Sequence, residues 1–168
     1  MAHIPKEEKL MGYDFTEIYQ INKQFDVDVH QIVSRIEGFG SFSSISEYEL
    51  ENLPKYAAVI AKAMKEKKKP VTPTQLRRFY TYVKSIDLAN KQTKEDEQNF
   101  KDKYKLKFIL PKIAGSSECE SLEDLYKVLN ACVNGDKIIT VKDLRLFMEF
   151  FEAILDYHST FKTQKKDN

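Results

Sequence analysis

The sequence has no tryptophan, three histidines, two cysteines, and only five glycines and five prolines in 168 residues. So few chain breakers leave long uninterrupted segments, which excludes a turn-rich β architecture and points to helices. Cys119 and Cys132 lack CxxC spacing, which excludes a disulfide scaffold or a thiol zinc site. They are expected to be reduced thiols of a cytoplasmic protein, with Cys132 packed as a small hydrophobe. His3, His30 and His158 form no HxxxH, HExxH or histidine–cysteine pattern. His158, beside an apolar seam, is expected to be a core residue. Glu149, Glu152 and Asp156 keep the helical spacing of a carboxylate metal site, yet the Glu-x-x-His that a di-iron bundle needs is missing. A P-loop, a GxGxxG turn and a GxSxG elbow are also absent. The expectation is therefore no catalytic residue, no cofactor and no metal. No apolar run reaches the ~18 residues that cross a bilayer. The opening MAHIPKEEKL has no apolar h-region, so neither a membrane partner nor a signal peptide is expected.

What the chain does have is charge, and the charge is unevenly placed. The formal net charge is only +1. Residues 1–54 hold four basic against ten acidic side chains, residues 55–112 sixteen against six, and residues 113–168 seven against ten. A basic middle between acidic flanks suits a polyanion on one surface and protein neighbours on the others.

The centre of that basic middle is the stretch from Thr72 to Ile86, TPTQLRRFYTYVKSI. Thr72 as N-cap, Pro73 as first helical residue and Gln75 at N3 make a capping box. Leu76, Phe79, Tyr80, Val83 and Ile86 then fall on one apolar face. Arg77, Lys84 and Lys91 repeat every seven residues and are expected to line one flank beside it. Such a row can hold a phosphate backbone; a merely solvated face is the competing reading.

The rest of the chain divides into further short helices. Ile18, Ile21 and Phe25 keep helical spacing, and Val29, Ile32, Val33 and Ile36 predict a short helix ending at Gly38, before a GFGSFSSIS loop. Ser46 with Glu49 opens a helix to about Lys67, kinked or broken at Pro54. Its closing KEKKKP is either a phosphate contact or the ordinary preference of a helix C-terminus for lysine. Thr93 with Asp96 predicts a capped helix over TKEDEQNFKDKYKLKFILPKIA, anchored by Phe100, Tyr104 and Phe108, with Lys94, Lys101, Lys105 and Lys112 near one flank and a bend or restart at Pro111. Ser121 with Asp124 predicts a cap for LEDLYKVLNACV, Asn134-Gly135-Asp136 a turn, and Thr140 with Asp143 a cap for the last helix. That helix is apolar on two sides: Val141, Leu144, Met148, Phe151 and Leu155 on one, Leu146, Phe150, Ala153 and Tyr157 on the other. It is either the central helix of a bundle or offers one side to a partner.

Three of these stretches, in order, carry a family resemblance. TPTQLRRFY resembles the Thr-x-Ser/Thr-Gln/Lys-Leu/Ile-Arg-Lys/Arg/Asn signature of the small subunit of type III-A CRISPR effector (Csm) complexes. FILPKIA resembles that family's LLPKLAYA-type motif, and FMEFFEAILDYH its aromatic-rich FEA close. The resemblance spans residues 55–161. It implies an all-α fold, a compact bundle of about five helices, whose copies stack in a filament along the inner face of the ribonucleoprotein. The implied partners are guide (CRISPR) RNA, target RNA, other Csm subunits and further copies of the chain; a homodimer of the isolated chain is left open. The resemblance implies no nuclease site, and assigns Arg77, Arg78 and Lys112 to the RNA backbone. Lys84, Lys91, Lys101 and Lys105 rest on the helical-face argument alone. GSSEC departs from the family's continuation after LPKIA, and residues 1–45 inherit nothing. The expected organisation is a partly helical extension over 1–45, an RNA-binding bundle over 46–162 and a frayed tail over 163–168. The function expected is a non-catalytic, RNA-binding Csm subunit in antiviral defence. Two alternatives stand beside it: a helical protein–protein scaffold without direct RNA contact, and a helix-turn-helix DNA binder reading with Thr74–Ile86.

Overall fold

The computed structural model describes residues 27–91, 98–116 and 120–160. Among them are six α-helices and no strand: α1 (Val29–Glu37), α2 (Glu47–Lys65), α3 (Pro73–Ala89), α4 (Ile109–Ala114), α5 (Glu123–Val133) and α6 (Val141–Thr160). Two 3₁₀ turns, Phe42–Ser44 and Lys103–Phe108, join them. The all-α bundle expected from the sequence is what forms. The segment bearing Ile18, Ile21 and Phe25, the Thr93–Asp96 box, Lys94, Cys119 and the tail lie outside the described residues.

Local signals account for most of the helix starts. The Asp28 carboxylate accepts from the Gln31 N–H while the Gln31 side chain accepts from the Asp28 N–H, both at 2.8 Å, so α1 opens on a full capping box. Thr72 and Gln75 do the same for α3, and Ser46 caps α2. At α6, Thr140 Oγ1 accepts from the Asp143 N–H and Asp143 returns the bond to the Thr140 N–H. Helix α1 ends at Gly38, as its spacing predicts. Pro54 neither breaks nor restarts α2, which runs on to Lys65. The missing N–H removes one backbone bond, and the buried Leu53 and Tyr56 to Ala61 on either side of it hold the helix together.

Helix α6 is the central member. It lies against α2 and α3, and the Phe42–Ser44 turn caps its first turns. Helix α5 packs on α1, α2 and α4. The GFGSFSSIS stretch is more than a linker, because Phe42 is fully enclosed. Its ring starts an edge-to-face series through Phe147 (5.9 Å) and Phe151 (6.2 Å), and Tyr80 of α3 joins Phe151 at 5.7 Å. That row fixes α3 against α6. Ile32 and Ile36 of α1 are fully buried in the same core. The first α6 seam is buried throughout, and the second is only partly covered, forming an apolar groove with Leu50, Leu53 and Pro54 of α2.

Two expectations fail here. Ser121 does not cap α5, which starts at Glu123 without a side-chain cap; the Ser121 hydroxyl instead donates to the Lys69 carbonyl, tying the α2–α3 connection to α5. The long helix over 93–114 is also absent among its described residues. Asn99 pairs with Thr140 in an isolated antiparallel bridge, and Asp102 turns the chain at φ 61° before the 3₁₀ turn and α4. Asn90, buried at the end of α3, enforces this path: its amide donates to the Ile86 and Lys101 carbonyls and its oxygen accepts from the Lys101 N–H. Pro111 falls in the first turn of α4, where no N–H is required.

His158 is fully buried, as expected of a core histidine. Burial, and then the neighbouring Lys65 ammonium, push its pKa down to about 4. The unfolded chain therefore binds a proton that the folded chain refuses as pH falls from 6.5 to about 4. Stability is fully present above that window and declines within it, by up to roughly 3 kcal/mol. Thermal unfolding across that range checks this: His158→Leu should flatten the decline, and an equally steep decline in the variant would assign it elsewhere.

Candidate nucleic-acid interface

The apolar face read for α3 is buried residue for residue: Leu76, Phe79, Tyr80, Val83 and Ile86. That burial forces the remaining side chains outward. All seven cations named from the sequence are exposed, and their grouping depends on α3 lying between two neighbours. On one side is α6, which Tyr80 and Asp87 face. On the other is the Lys103–Phe108 turn with α4, which Tyr82 faces: its hydroxyl donates to the Lys105 carbonyl at 2.6 Å.

Arg77 and Lys84 are seven residues apart and so within about 20° of each other around α3, on the α6 side. Arg78 is about 100° further round, on the Tyr82 side. An exposed ridge of Thr74, Thr81 and Ser85 separates the two. The seven-residue row does not extend to Lys91, because Asn90 leaves helical geometry (φ −105°, ψ 10°) and ends the arithmetic.

On the Tyr82 side, two helices supply one cationic cleft. The Arg78 guanidinium lies over the Phe79 ring, 4.9 Å from its centroid, and the Lys112 ammonium lies 4.7 Å from that of Tyr82. Phe79, Tyr82, Gly115 and Ser116 complete a cleft of about 330 Å³ between them. The attraction of each ring face for a cation holds both charges at the cleft. Burial, despite the opposing pull of the Lys105 charge, raises the Tyr82 pKa, so the ring stays a neutral donor. This arrangement can cradle an anionic oxygen between α3 and α4.

The other expected lysines are placed differently. Lys101 is held by its backbone to Asn90 at the end of α3. The Lys105 ammonium bonds Asp102 at 3.2 Å, and that bond raises its pKa. With no continuous helix through 101–112, Lys101, Lys105 and Lys112 do not share a helical flank. Tyr104 and Phe108 are not anchors either. They are 62% and 54% exposed, and Phe100, Leu106 and Ile109 hold this segment to the core instead. The 3₁₀ rise rotates every side chain after Asp102 away from the α-helical projection, and no cap in the sequence signals that switch. Within the KEKKK run, Lys65 is buried, Glu66 pairs with Lys62 at 3.4 Å and Lys67 pairs with Asp124 at 3.2 Å, while Lys68 and Lys69 are exposed. Glu149, Glu152 and Asp156 lie exposed along α6.

No helix among the described residues is long and apolar enough to cross a membrane. No curated protein and no solved structure matches the chain. A family model does, over residues 47–164, which takes in every helix from α2 to α6 and both sides of the cationic cleft. The protein belongs to the Csm2 type III-A family, the small subunit of the type III-A CRISPR Csm complex.

Proposed function

We propose that this subunit is non-catalytic and holds the sugar–phosphate backbone of guide or target RNA, with copies of the chain lining the inner filament of the Csm complex in antiviral defence. The observation that carries the reading is the convergence of Arg78 from α3 and Lys112 from α4 on one exposed cleft, each braced on an aromatic face. Arg77 and Lys84 extend the grip across the Thr74–Ser85 ridge. Lys91, Lys101 and Lys105, exposed beyond that helical row, are further backbone contacts in this reading. Contacts of this kind carry no base sequence, which suits an assembly that reads sequence by guide–target pairing, an analogy with other RNA-guided effectors.

Affinity for single-stranded RNA should fall steeply with salt, log affinity declining by about 0.7 per phosphate contact for each unit of log salt. Titrating the full chain with labelled guide RNA at several salt concentrations measures this. Affinity that does not respond to salt contradicts a phosphate grip. A second reading, a scaffold without RNA contact, is favoured by the apolar groove of Leu50, Leu53, Pro54, Leu146, Phe150 and Ala153 between α2 and α6. Absence of RNA retention even at low salt selects it.

A further inference from the structure

The turn Lys103–Phe108, KYKLKF, presents its residues in an unusual way. Leu106 alone is driven into the core. Tyr104 and Phe108 stand out from the surface on either side of it, edge to face with ring centroids 6.4 Å apart and planes at 80°. Phe108 thus braces the Tyr104 ring, and Tyr104 lines a second cleft. The buried Val133, Ile138 and Lys137 line it together with Lys103, Lys107 and Asp136. Lys103 approaches Asp136 at 3.7 Å, and Lys137 donates to the Asn134 carbonyl. Lys107 has no ion-pair partner among the described residues.

Two large rings exposed side by side form an apolar patch that a ligand can cover. Their surroundings decide the kind of contact. Protein interfaces are depleted in lysine, whereas here Lys103 and Lys105 flank Tyr104 in the sequence and Lys107 precedes Phe108. Aromatic faces separated by cations match a polyanion whose bases lie exposed. We infer that Tyr104, backed by Phe108, is a stacking platform for an unpaired nucleobase, with Lys107 and Lys103 receiving the adjoining phosphates. This rests on the RNA-backbone reading above and deepens it. The Arg78–Lys112 cleft accepts phosphates of paired or unpaired RNA alike, whereas the Tyr104 platform is usable only by a strand whose bases are free.

The test compares the full chain and its Tyr104→Ala and Tyr104→Phe variants, each checked for an unchanged melting temperature. The probes are a labelled oligouridylate and a blunt RNA duplex of the same length. Tyr104→Ala should weaken single-strand binding roughly tenfold, leave duplex binding and the salt slope unchanged, and abolish photo-crosslinking of a 5-iodouracil strand to the turn. Tyr104→Phe should restore binding. Single-strand affinity unchanged in Tyr104→Ala, or equal losses on both probes, overturns the platform while leaving the phosphate grip standing. A lowered association state of the variant with unaltered RNA binding also overturns it, in favour of a protein contact. Failure of the wild-type chain to retain either RNA overturns both readings.

Discussion

Replacing Arg78 and Lys112 together by alanine is expected to weaken RNA binding by between about tenfold and a hundredfold at moderate salt and to lower the salt slope by about 1.4, two contacts at about 0.7 each. Each side chain contributes a cation held in position by stacking, so little side-chain freedom remains to be lost when a phosphate arrives. Charge-assisted hydrogen bonds to phosphate contribute about 1.5–3 kcal/mol apiece where solvent is excluded, and exposure at this cleft reduces that toward the lower end. Both residues are exposed, so the double variant should melt with the wild type. Arg77→Ala on the far side of the ridge should add its own loss to that of Arg78→Ala, since the two face different neighbours. A double variant that binds RNA with wild-type affinity and slope removes the cleft from the interface.

The largest effect on stability is expected from Asp143→Ala. Asp143 is 1% exposed and its carboxylate accepts three backbone N–H bonds: Ser43 at 2.7 Å, Ile139 at 3.1 Å and Thr140 at 3.0 Å. It is both the capping partner of α6 and the clasp that brings the Phe42–Ser44 turn onto the central helix. Burial would raise its pKa, but the bonds from Ser43, Thr140 and Ile139 outweigh that and hold it below the ordinary carboxylate range. Alanine leaves these donors unpaired at a buried helix start and frees the turn that carries Phe42, at a cost of about 3–5 kcal/mol. For a chain of this size the melting temperature should drop by roughly 10 °C. Asp143→Asn, which keeps one acceptor oxygen, should lose less. Because the folded pKa is depressed, the wild-type carboxylate stabilises the fold above the unfolded pKa of 3.8, and that contribution disappears as pH falls through the folded value. An alanine variant within a degree or two of the wild-type melting point would show that the clasp is dispensable.

The helices were legible where a cap and a 3.6-residue apolar period coincided. Thr72–Gln75 with Leu76, Phe79 and Val83 fixed α3 and its buried face, and Thr140–Asp143 did the same for α6. The two-sided apolar pattern of α6 leaves open a central helix or a side offered to a partner; α2 and α3 pack on the helix, and its second side stays only partly covered. What the sequence concealed depends on long-range contacts. Asn90 captures the Lys101 backbone, and no local pattern announces a side chain that bonds eleven residues away. Once Asn90 ends α3 and Asp102 turns the chain left-handed, the helical arithmetic that grouped Lys101, Lys105 and Lys112 has no helix to act on. An α-helical projection aligns Tyr104 and Phe108 with Phe100 as anchors; the 3₁₀ turn puts Leu106 inward in their stead. Arg78 and Lys112 belong to separate motifs, TQLRR and LPK, in the sequence. Their meeting across Tyr82 follows from α4 packing beside α3 and is visible only in three dimensions.

The placement of RNA on this molecule is tested most directly by photo-crosslinking in an assembled complex, with guide strands carrying a photoreactive base and crosslinked peptides mapped on the subunit. Crosslinks concentrated in residues 72–91 and 103–116, with the groove of Leu50, Leu146 and Phe150 unlabelled, are what the α3–α4 grip predicts. Labelling confined to that groove, or a subunit that incorporates without any crosslink, would contradict it.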